Sequence, residues 1–349
     1  MDPSCIKSGF LFGRPKLTRW IVTSLFVILL IAAIFSWFIT TKVCLKSDSP
    51  LKCLIFVGQN DLIASLRSLV AIFGFEWSSL NKFISLLSNL RIDNDCDSIR
   101  FMDKSRKLKS ILFFAIFCSL SFISLKPLFF GPSGDYFIKY FYSIFAIYNI
   151  ISALYILSIM IELCICLQAV FRFLNRQIVH LHQVSLTRHE PRSSLKYELK
   201  IYRYHYSLGI HLMKAADRFA RVYVTWFYTE YAYYSILHVY SRLIFKSGSF
   251  VQLMFGATSF VGMSYLTLNL IHVNTQSNNI LEQLYEISFH SYDLSFRQQL
   301  DFCLYRLSKR DVGFTYGNMF VITPNFITSL ATITLSIVLA IPNVLKLSG

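Results

Sequence analysis

The chain has 349 residues, of which 54% are hydrophobic and 15% are charged, and its formal net charge is +15. Soluble domains carry about 25% charged residues, so this composition excludes an ordinary soluble protein and predicts an integral membrane protein. A strongly basic chain could also bind nucleic acid, but the placement of the charges is explained better by membrane topology. We therefore predict no nucleic-acid partner.

Seven segments are predicted to cross the membrane, because a span needs about 20 mainly apolar residues. In chain order they are Trp20–Thr40, Cys53–Phe75, Ser110–Phe130, Phe137–Phe171, Val222–Ser241, Phe250–Ile271 and a last one near Pro324–Leu345. The second is the weakest since it contains Asp61 and Arg67, and it is counted because its neighbours then alternate correctly. The first lacks a small-residue cleavage site, which predicts an anchor rather than a removed signal peptide.

The distribution of Lys and Arg predicts a cytoplasmic N-terminus. Segments 1–19, 82–109, 172–221 and 297–310 carry 25 of the 34 Lys and Arg residues, and the segments on the opposite side carry eight. Cytoplasmic loops are enriched in these residues, so the four segments face the cytoplasm, and seven spans then place the C-terminus outside. A G-protein-coupled receptor, which seven helices first suggest, has the reverse orientation. The "DRF" at Asp217–Phe219 imitates that class's DRY motif, but it precedes the fifth span, and we interpret it as chance.

Apolar stripes continue from the membrane helices into charged sequence, which is typical of helices that go on packing against other helices. The first stripe is Leu167, Phe171, Leu174, Ile178 and Leu181, at spacings of 4, 3, 4 and 3. The returning helix is predicted to bury Ile201, Tyr204, Leu208, Leu212, Ala215, Phe219 and Val222, and the segment before the last span to bury Phe296, Leu300, Leu304 and Leu307. Whether these helices pack within one chain or between subunits stays open.

Ionisable and sulfur-containing residues give few signs of chemistry. Asp61, Glu162 and Glu230 are acids at membrane depth, predicted either to pair internally or to line water. The eight cysteines show no metal-type spacing; Cys44 and Cys53 flank a short polar loop and could pair if that loop is extracellular. No convergent His, Asp, Glu and Ser set indicates an enzyme, a metal site or a cofactor, and no internal repeat indicates a transporter.

The last helix is predicted to begin with Thr323 as N-cap and Pro324 at its first helical position. A polar stripe then runs down an otherwise apolar helix: Asn325, Ser329, Thr332, Ser336 and Asn343. In lipid such a stripe must face protein or water. It either packs small residues against a neighbouring helix or, around a symmetry axis, lines a water-filled path.

Two sequences, "FRFLNRQIVHL" from Phe171 and "FRQQLDFCLYRLSKRDVGFTYGNMFVITPNFITSLATI" from Phe296, resemble the insect gustatory and odorant receptor superfamily, specifically its gustatory-receptor-like members. The seven-span, N-inside layout agrees with that resemblance. The family's signature in the last helix is Thr-Tyr, five hydrophobic residues, then Gln-Phe. Here Ser336-Ile337 and Asn343-Val344 stand in those places, with Pro342 between them.

The resemblance implies an all-α membrane protein with seven transmembrane helices, a cytoplasmic N-terminus and long cytoplasmic helical extensions that form an anchor. It implies a cytoplasmic segment 1–19, helices and ligand pocket in 20–275 with extensions at about 172–221, a cytoplasmic helix in 276–311, and re-entry and pore helix in 312–349.

Functionally, the resemblance implies a ligand-gated cation channel that detects a tastant or odorant, in the plasma membrane of a sensory-neuron dendrite or process. It would be a homo- or heterotetramer embedded in membrane lipid. A G-protein-coupled chemosensory receptor of conventional topology, or a divergent member without channel activity, remain alternatives.

The expected site residues fall into three groups. Pore and gate residues are Ser329, Thr332, Ser336, Ala340, Asn343 and Val344. Ligand-binding residues are Asn60, Tyr142, Tyr148, Tyr155, Tyr231 and Tyr234, although Tyr is also common at membrane interfaces and in cores. Anchor residues are Phe171, Leu174, Asn175, Ile178, Leu300 and Leu304.

Overall fold

The structure, a computed structural model, describes residues 15–45, 59–90, 92, 95–130, 136–186, 192–245, 250–288, 294–308 and 312–347. The helices are α1 Pro15–Cys44, α2 Gln59–Phe73, α3 Trp77–Asn89, α4 Cys96–Phe130, α5 Tyr136–Leu186, α6 Arg192–Phe245, α7 Phe250–Ser288, α8 Leu294–Ser308 and α9 Pro324–Leu347. Two short strands, β1 Thr315–Tyr316 and β2 Phe320–Val321, pair antiparallel just before α9. The predicted all-α class is therefore confirmed apart from this hairpin.

Each predicted span coincides with a helix, except that the part of Cys53–Phe75 before Gln59 lies outside the described residues. By length and composition, two stretches within the described part qualify as spans on their own, Pro15–Lys42 and Tyr140–Val184, and the shorter Pro324–Ile337 is also apolar. The number of spans and the side on which the N-terminus lies stay predictions.

The two longest helices exceed what a bilayer needs. Helix α5 has 51 residues and α6 has 54, which at about 1.5 Å per residue is roughly 77 and 81 Å. The hydrocarbon core of a bilayer is about 30 Å thick. More than half of each helix therefore lies outside a core of that thickness, as the predicted extensions require.

Helix α5 is the centre of the fold. It packs against α1, α4, α6 and α7, and every residue from 159 to 171 is buried. The predicted stripe beyond this stretch is confirmed, since Leu167, Phe171, Leu174 and Ile178 are fully buried and Leu181 is 2% exposed. The same chain covers the stripe, so its packing within one subunit is established.

The stripe predicted on α6 was partly wrong. Ile201 is 36% exposed, Tyr204 62% and Val222 48%. The other four predicted residues, Leu208, Leu212, Ala215 and Phe219, are buried as predicted. A continuous buried row that the prediction missed runs beside them: Leu199, Tyr202, Tyr206, Gly209, Met213, Ala216, Ala220 and Tyr223.

Small residues explain this error. A stripe built on large apolar side chains undervalues Gly209, whose missing Cβ would lie 3.0 Å from Leu174 Cδ1 of α5. The close approach of α5 and α6 therefore requires a small residue at a position that the predicted stripe did not include. In α8, Phe296 and Leu300 are buried and Leu304 is partly buried, as predicted, and the side chain of Leu307 lies outside the described set.

Replacing Leu174 with Ala is expected to destabilise the packing of α5 against α6 by about 2–5 kcal/mol, because it opens a cavity in a fully buried row. The apparent melting temperature of the detergent-purified protein measures this loss. The exposed Ile201→Ala is the matched control and should change stability by no more than about 0.5 kcal/mol. Equal effects of the two substitutions would contradict the corrected packing.

Candidate functional site

Helix α9 begins as predicted. The Phe326 N–H donates to Thr323 Oγ1 at 3.3 Å, which is the N-cap hydrogen bond, and Pro324 is the first helical residue. The stripe side chains that the structure describes are all exposed: Asn325, Ser329, Thr332, Ser336 and, beyond them, Ala340. The side chains of Asn343 and Val344 lie outside the described set. Within one chain, therefore, the described stripe does not pack against a neighbouring helix.

The hydroxyls of the stripe are oriented by the helix itself. Ser329, Thr332 and Ser336 donate to the carbonyl oxygens four residues earlier, at 3.0, 2.9 and 2.8 Å. A hydroxyl whose proton is engaged in this way keeps its lone pairs free to face outward. The exposed face of α9 thus presents a row of oxygen acceptors.

The opposite face of α9 is attached to the hydrophobic core only near its start. Phe326, Ile327 and Leu330 pack against the main core, and the Phe326 ring lies 5.7 Å from that of Tyr228 on α6. Further along the same side of the helix, Ile333 and Ile337 are 58% and 43% exposed. Both the polar and apolar faces of the distal helix are therefore left for other molecules to cover.

The hairpin 312–322 connects α8 to α9 and is seated on α6. Its turn uses left-handed backbone at Gly317 (φ 58°) and Asn318 (φ 64°), residue types that tolerate it. The Asp217 carboxylate of α6 accepts hydrogen bonds from the Thr315 N–H at 2.7 Å and from Thr315 Oγ1 at 2.9 Å. Asp217 is 6% exposed, and Arg221 donates to its second oxygen at 2.8 Å.

Further contacts hold the hairpin 312–322 between α6 and α7. The Gly317 N–H donates to Thr225 Oγ1 at 2.8 Å, and Asn274 Nδ2 of α7 donates to the Val312 carbonyl at 2.8 Å. At Gly313 an added Cβ would lie 2.7 Å from Val321 Cγ1 and 3.4 Å from Asn274 Cβ. Movement of α6 against α7 would thus be transmitted to the start of α9.

Sequence reasoning missed this arrangement. Gly317-Asn318 between apolar and β-branched residues was an available hairpin signal. Nothing local indicated that Asp217 meets Thr315, because 98 residues separate them.

Two of the three acids at membrane depth form ion pairs. Glu162 of α5 accepts from Arg106 Nε at 2.7 Å and from Lys109 Nζ at 2.6 Å, both on α4. Glu230 of α6 pairs with Arg67 of α2, and Arg67 also donates to Asn149 Oδ1 of α5 at 2.9 Å. These pairs tie α4 to α5 and α2 to both α5 and α6.

The third acid, Asp61, is held by hydroxyls. Ser36 Oγ of α1 donates to Asp61 Oδ1 at 2.8 Å, and Thr40 Oγ1 donates to Oδ2 at 3.1 Å. Asp61 is 3% exposed. The Asp61 carboxylate forms no ion pair with the residues that the structure describes.

The predicted ligand-binding tyrosines do not converge on one cavity. Tyr142 lies 2.8 Å from Thr40 Oγ1, and Tyr148 donates to the Leu25 carbonyl at 2.9 Å, so both face α1. The Tyr231 ring lies tilted against that of Phe260 on α7, with ring centroids 6.5 Å apart. Of the remaining three predicted residues, Tyr155 packs on the main core and Tyr234 lies beside Arg67. The Asn60 side chain is outside the described set.

A shallow cavity of about 340 Å³ lies between α1 and α5. It is lined by Trp20, Ile21, Ser24, Leu25, Ile28 and Tyr148. Of the predicted ligand-binding residues, only Tyr148 borders this cavity. The cavity therefore does not identify the ligand pocket.

Two ionisable side chains at the predicted extensions are held in environments that disfavour charge. Burial raises the pKa of the Cys303 thiol to about 11, and burial lowers the pKa of His205, whose Nδ1 lies 3.1 Å from Gln177 Oε1. Both groups are thus favoured in their neutral forms. Anchor residue Asn175 is half-buried there, and its Oδ1 finds no hydrogen-bond partner among the described residues.

Cys44, the last residue of α1, is disulfide-bonded, and its partner lies outside the described residues. The sequence had left open whether Cys44 forms a disulfide. The pairing with Cys53 stays a prediction.

No protein-family model matches the sequence, and a search of curated proteins finds no match. Solved structures do match. The insect olfactory receptor OR5 from Machilis hrabei in complex with eugenol is 15% identical, with a TM-score of 0.62 over 93% of this chain and 88% of that chain. A second structure of OR5 is 13% identical, with a TM-score of 0.63 over 92% of this chain and 87% of that one. Over nearly its whole length, the chain has the fold of an insect olfactory receptor.

Proposed function

We propose that the chain is a subunit of a chemoreceptor in the insect odorant and gustatory receptor superfamily, a cation channel opened by a small organic molecule. The shared fold supports a receptor, and OR5 in one of the two structures holds eugenol. The observation that carries the channel proposal is the exposed row of oxygen acceptors along α9. A membrane helix with such a row needs water or other protein beside it.

The proposed topology has a cytoplasmic N-terminus and an extracellular C-terminus. The Lys and Arg distribution supports it, and so does the disulfide at Cys44, because disulfides persist in oxidising compartments. If Cys44 lies outside, then α1 starts in the cytoplasm. The proposed organisation is 1–19 cytoplasmic, 20–275 membrane helices and pocket, 276–311 cytoplasmic helix and 312–349 pore.

Assembly follows from the uncovered surfaces. A single α9 cannot enclose a path, so several copies must surround it, and we infer a homo- or heterotetramer with its apolar surface in plasma-membrane lipid. The cytoplasmic helices bury their main stripes within one chain but leave aromatic side chains exposed. These are Tyr197, Tyr204, Phe302 and Tyr305, at 60–66% exposure, and they provide surface for neighbouring subunits.

Gating would pass from the outer halves of α2, α5 and α6 to the hairpin 312–322. A ligand that binds one arrangement of these helices more tightly shifts the population toward it. Because Asp217 and Thr225 bind the hairpin directly, displacement of α6 would rotate α9. In the open state the acceptor row would face the path, and in the closed state apolar residues near Ala340 and Val344 would exclude water.

Expression in oocytes, alone and with a panel of tastants and odorants, tests the proposal. A ligand-evoked cation current supports it. A glycosylation acceptor added at the N-terminus should stay unmodified and one added at the C-terminus should be modified. The reverse pattern would favour a G-protein-coupled receptor.

A further inference from the structure

Asp61 occupies an unusual environment for a carboxylate. It is 3% exposed and sits in the first turn of α2, against α1. The nearest cation on its own helix, Arg67, is already engaged by Glu230 and Asn149. Lys42 on α1 is exposed. Buried charges in proteins are normally paired or bind metal ions, and within the described ranges no side-chain cation serves Asp61.

Two hydroxyls of α1 hold this carboxylate directly, and a hydroxyl of α5 lies behind one of them. Ser36 Oγ and Thr40 Oγ1 approach its two oxygens at 2.8 and 3.1 Å, and the Tyr142 hydroxyl lies 2.8 Å from Thr40 Oγ1. A hydroxyl has one proton and two lone pairs and can rotate. Ser36 and Thr40 can therefore donate to the bare carboxylate or turn their lone pairs toward a cation beside it, and the Tyr142 hydroxyl next to Thr40 can turn in the same way.

We propose that Asp61, Ser36, Thr40 and Tyr142 form a binding site for a sodium ion. An all-oxygen set selects a hard cation. One carboxylate supplies a single negative charge, which balances a monovalent ion, whereas protein Ca²⁺ sites commonly gather several carboxylates. Thr40 lies one turn before the disulfide-bonded Cys44, so in the proposed topology the ion enters from the sodium-rich outside.

Occupancy would hold α1, α2 and α5 together at their outer ends. It would also fix Tyr142, one of the predicted ligand-binding residues. Sodium would thus stabilise the folded receptor whether or not the chain conducts ions, and the site can be tested without any channel current.

The test measures the apparent melting temperature of the detergent-purified full chain while NaCl replaces N-methyl-D-glucamine chloride at constant ionic strength and pH. A ligand that binds only the folded state raises this temperature as its concentration increases. The parent chain should respond to sodium, and Asp61→Asn should not. Asp301→Asn, which alters an exposed acid on α8, is the matched control and should respond like the parent.

Thr40→Val provides a second variant if Asp61→Asn does not fold. It removes one ligand and should shift the sodium concentration for half-maximal stabilisation upward by about tenfold. Lowering the pH in the absence of sodium should not raise the melting temperature of the parent chain as sodium does. A parent without a sodium response, an unaltered response in both variants, or stabilisation by protons alone would each overturn the proposal.

Discussion

Replacing Asp217 with Asn is expected to reduce ligand-evoked current by about tenfold or more while the protein still reaches the cell surface. Asp217 accepts from the N–H and the hydroxyl of Thr315 and from Arg221. The amide keeps the shape of the side chain but loses the charge, and hydrogen bonds to charged groups are worth about 1.5–3 kcal/mol. Voltage-clamp currents, normalised to surface protein by biotinylation, measure the effect.

Arg218→Gln is the control for Asp217→Asn, because Arg218 is exposed next to it on α6. It should leave the normalised current near that of the parent. A double-mutant cycle with Thr315→Val separates loss of the Asp217–Thr315 contact from general damage to the protein. If Asp217 acts through Thr315, the second substitution adds little to the first, and fully additive losses would contradict the assigned role of the hairpin 312–322.

Removing the Glu230 charge is expected to cause the largest loss of stability. Glu230 and Arg67 are 10% and 12% exposed and pair across α6 and α2. Deleting one partner of a buried pair leaves an uncompensated charge, at a cost of about 3–5 kcal/mol. Glu230→Gln should therefore sharply lower the melting temperature and the amount of protein at the surface.

The double variant Arg67→Met with Glu230→Gln distinguishes pairing from local packing. It removes both charges and should recover much of the stability that either single change loses. Glu76→Gln, at an exposed position before α3, serves as the control and should have little effect. A double variant as unstable as the sum of the two single variants would show that the ion pair is not the cause.

The sequence could predict those features that depend on local periodicity. The α5 stripe from Leu167 to Leu181 and the Thr323 cap follow from spacing and from short-range chemistry, and both are found in the structure. On α6 the same reasoning was partly wrong, because the buried row depends on how closely α5 approaches Gly209. Close approach is a tertiary property that residue hydrophobicity does not encode.

Contacts between residues that are distant in the sequence could not be predicted from it. Membrane depth predicted that Glu162 and Glu230 need partners, but these partners lie 56 and 163 residues away. Pairing across such separations depends on which helices become neighbours. The Asp217–Thr315 contact and the hydroxyls around Asp61 belong to the same class, whereas the exposed α9 stripe was visible because it lies on one helix.

The most direct test of the channel account is charge modification on α9. Ser336→Cys, on the polar stripe, should react with a positively charged thiosulfonate and lose its ligand-evoked current irreversibly. Leu335→Cys lies about 100° around the helix at 58% exposure, and it should keep its current, as should the parent chain with its own cysteines. Block at Ser336→Cys alone is the predicted result; persistence of current there, or equal block at both positions, would contradict a pore lined by this stripe.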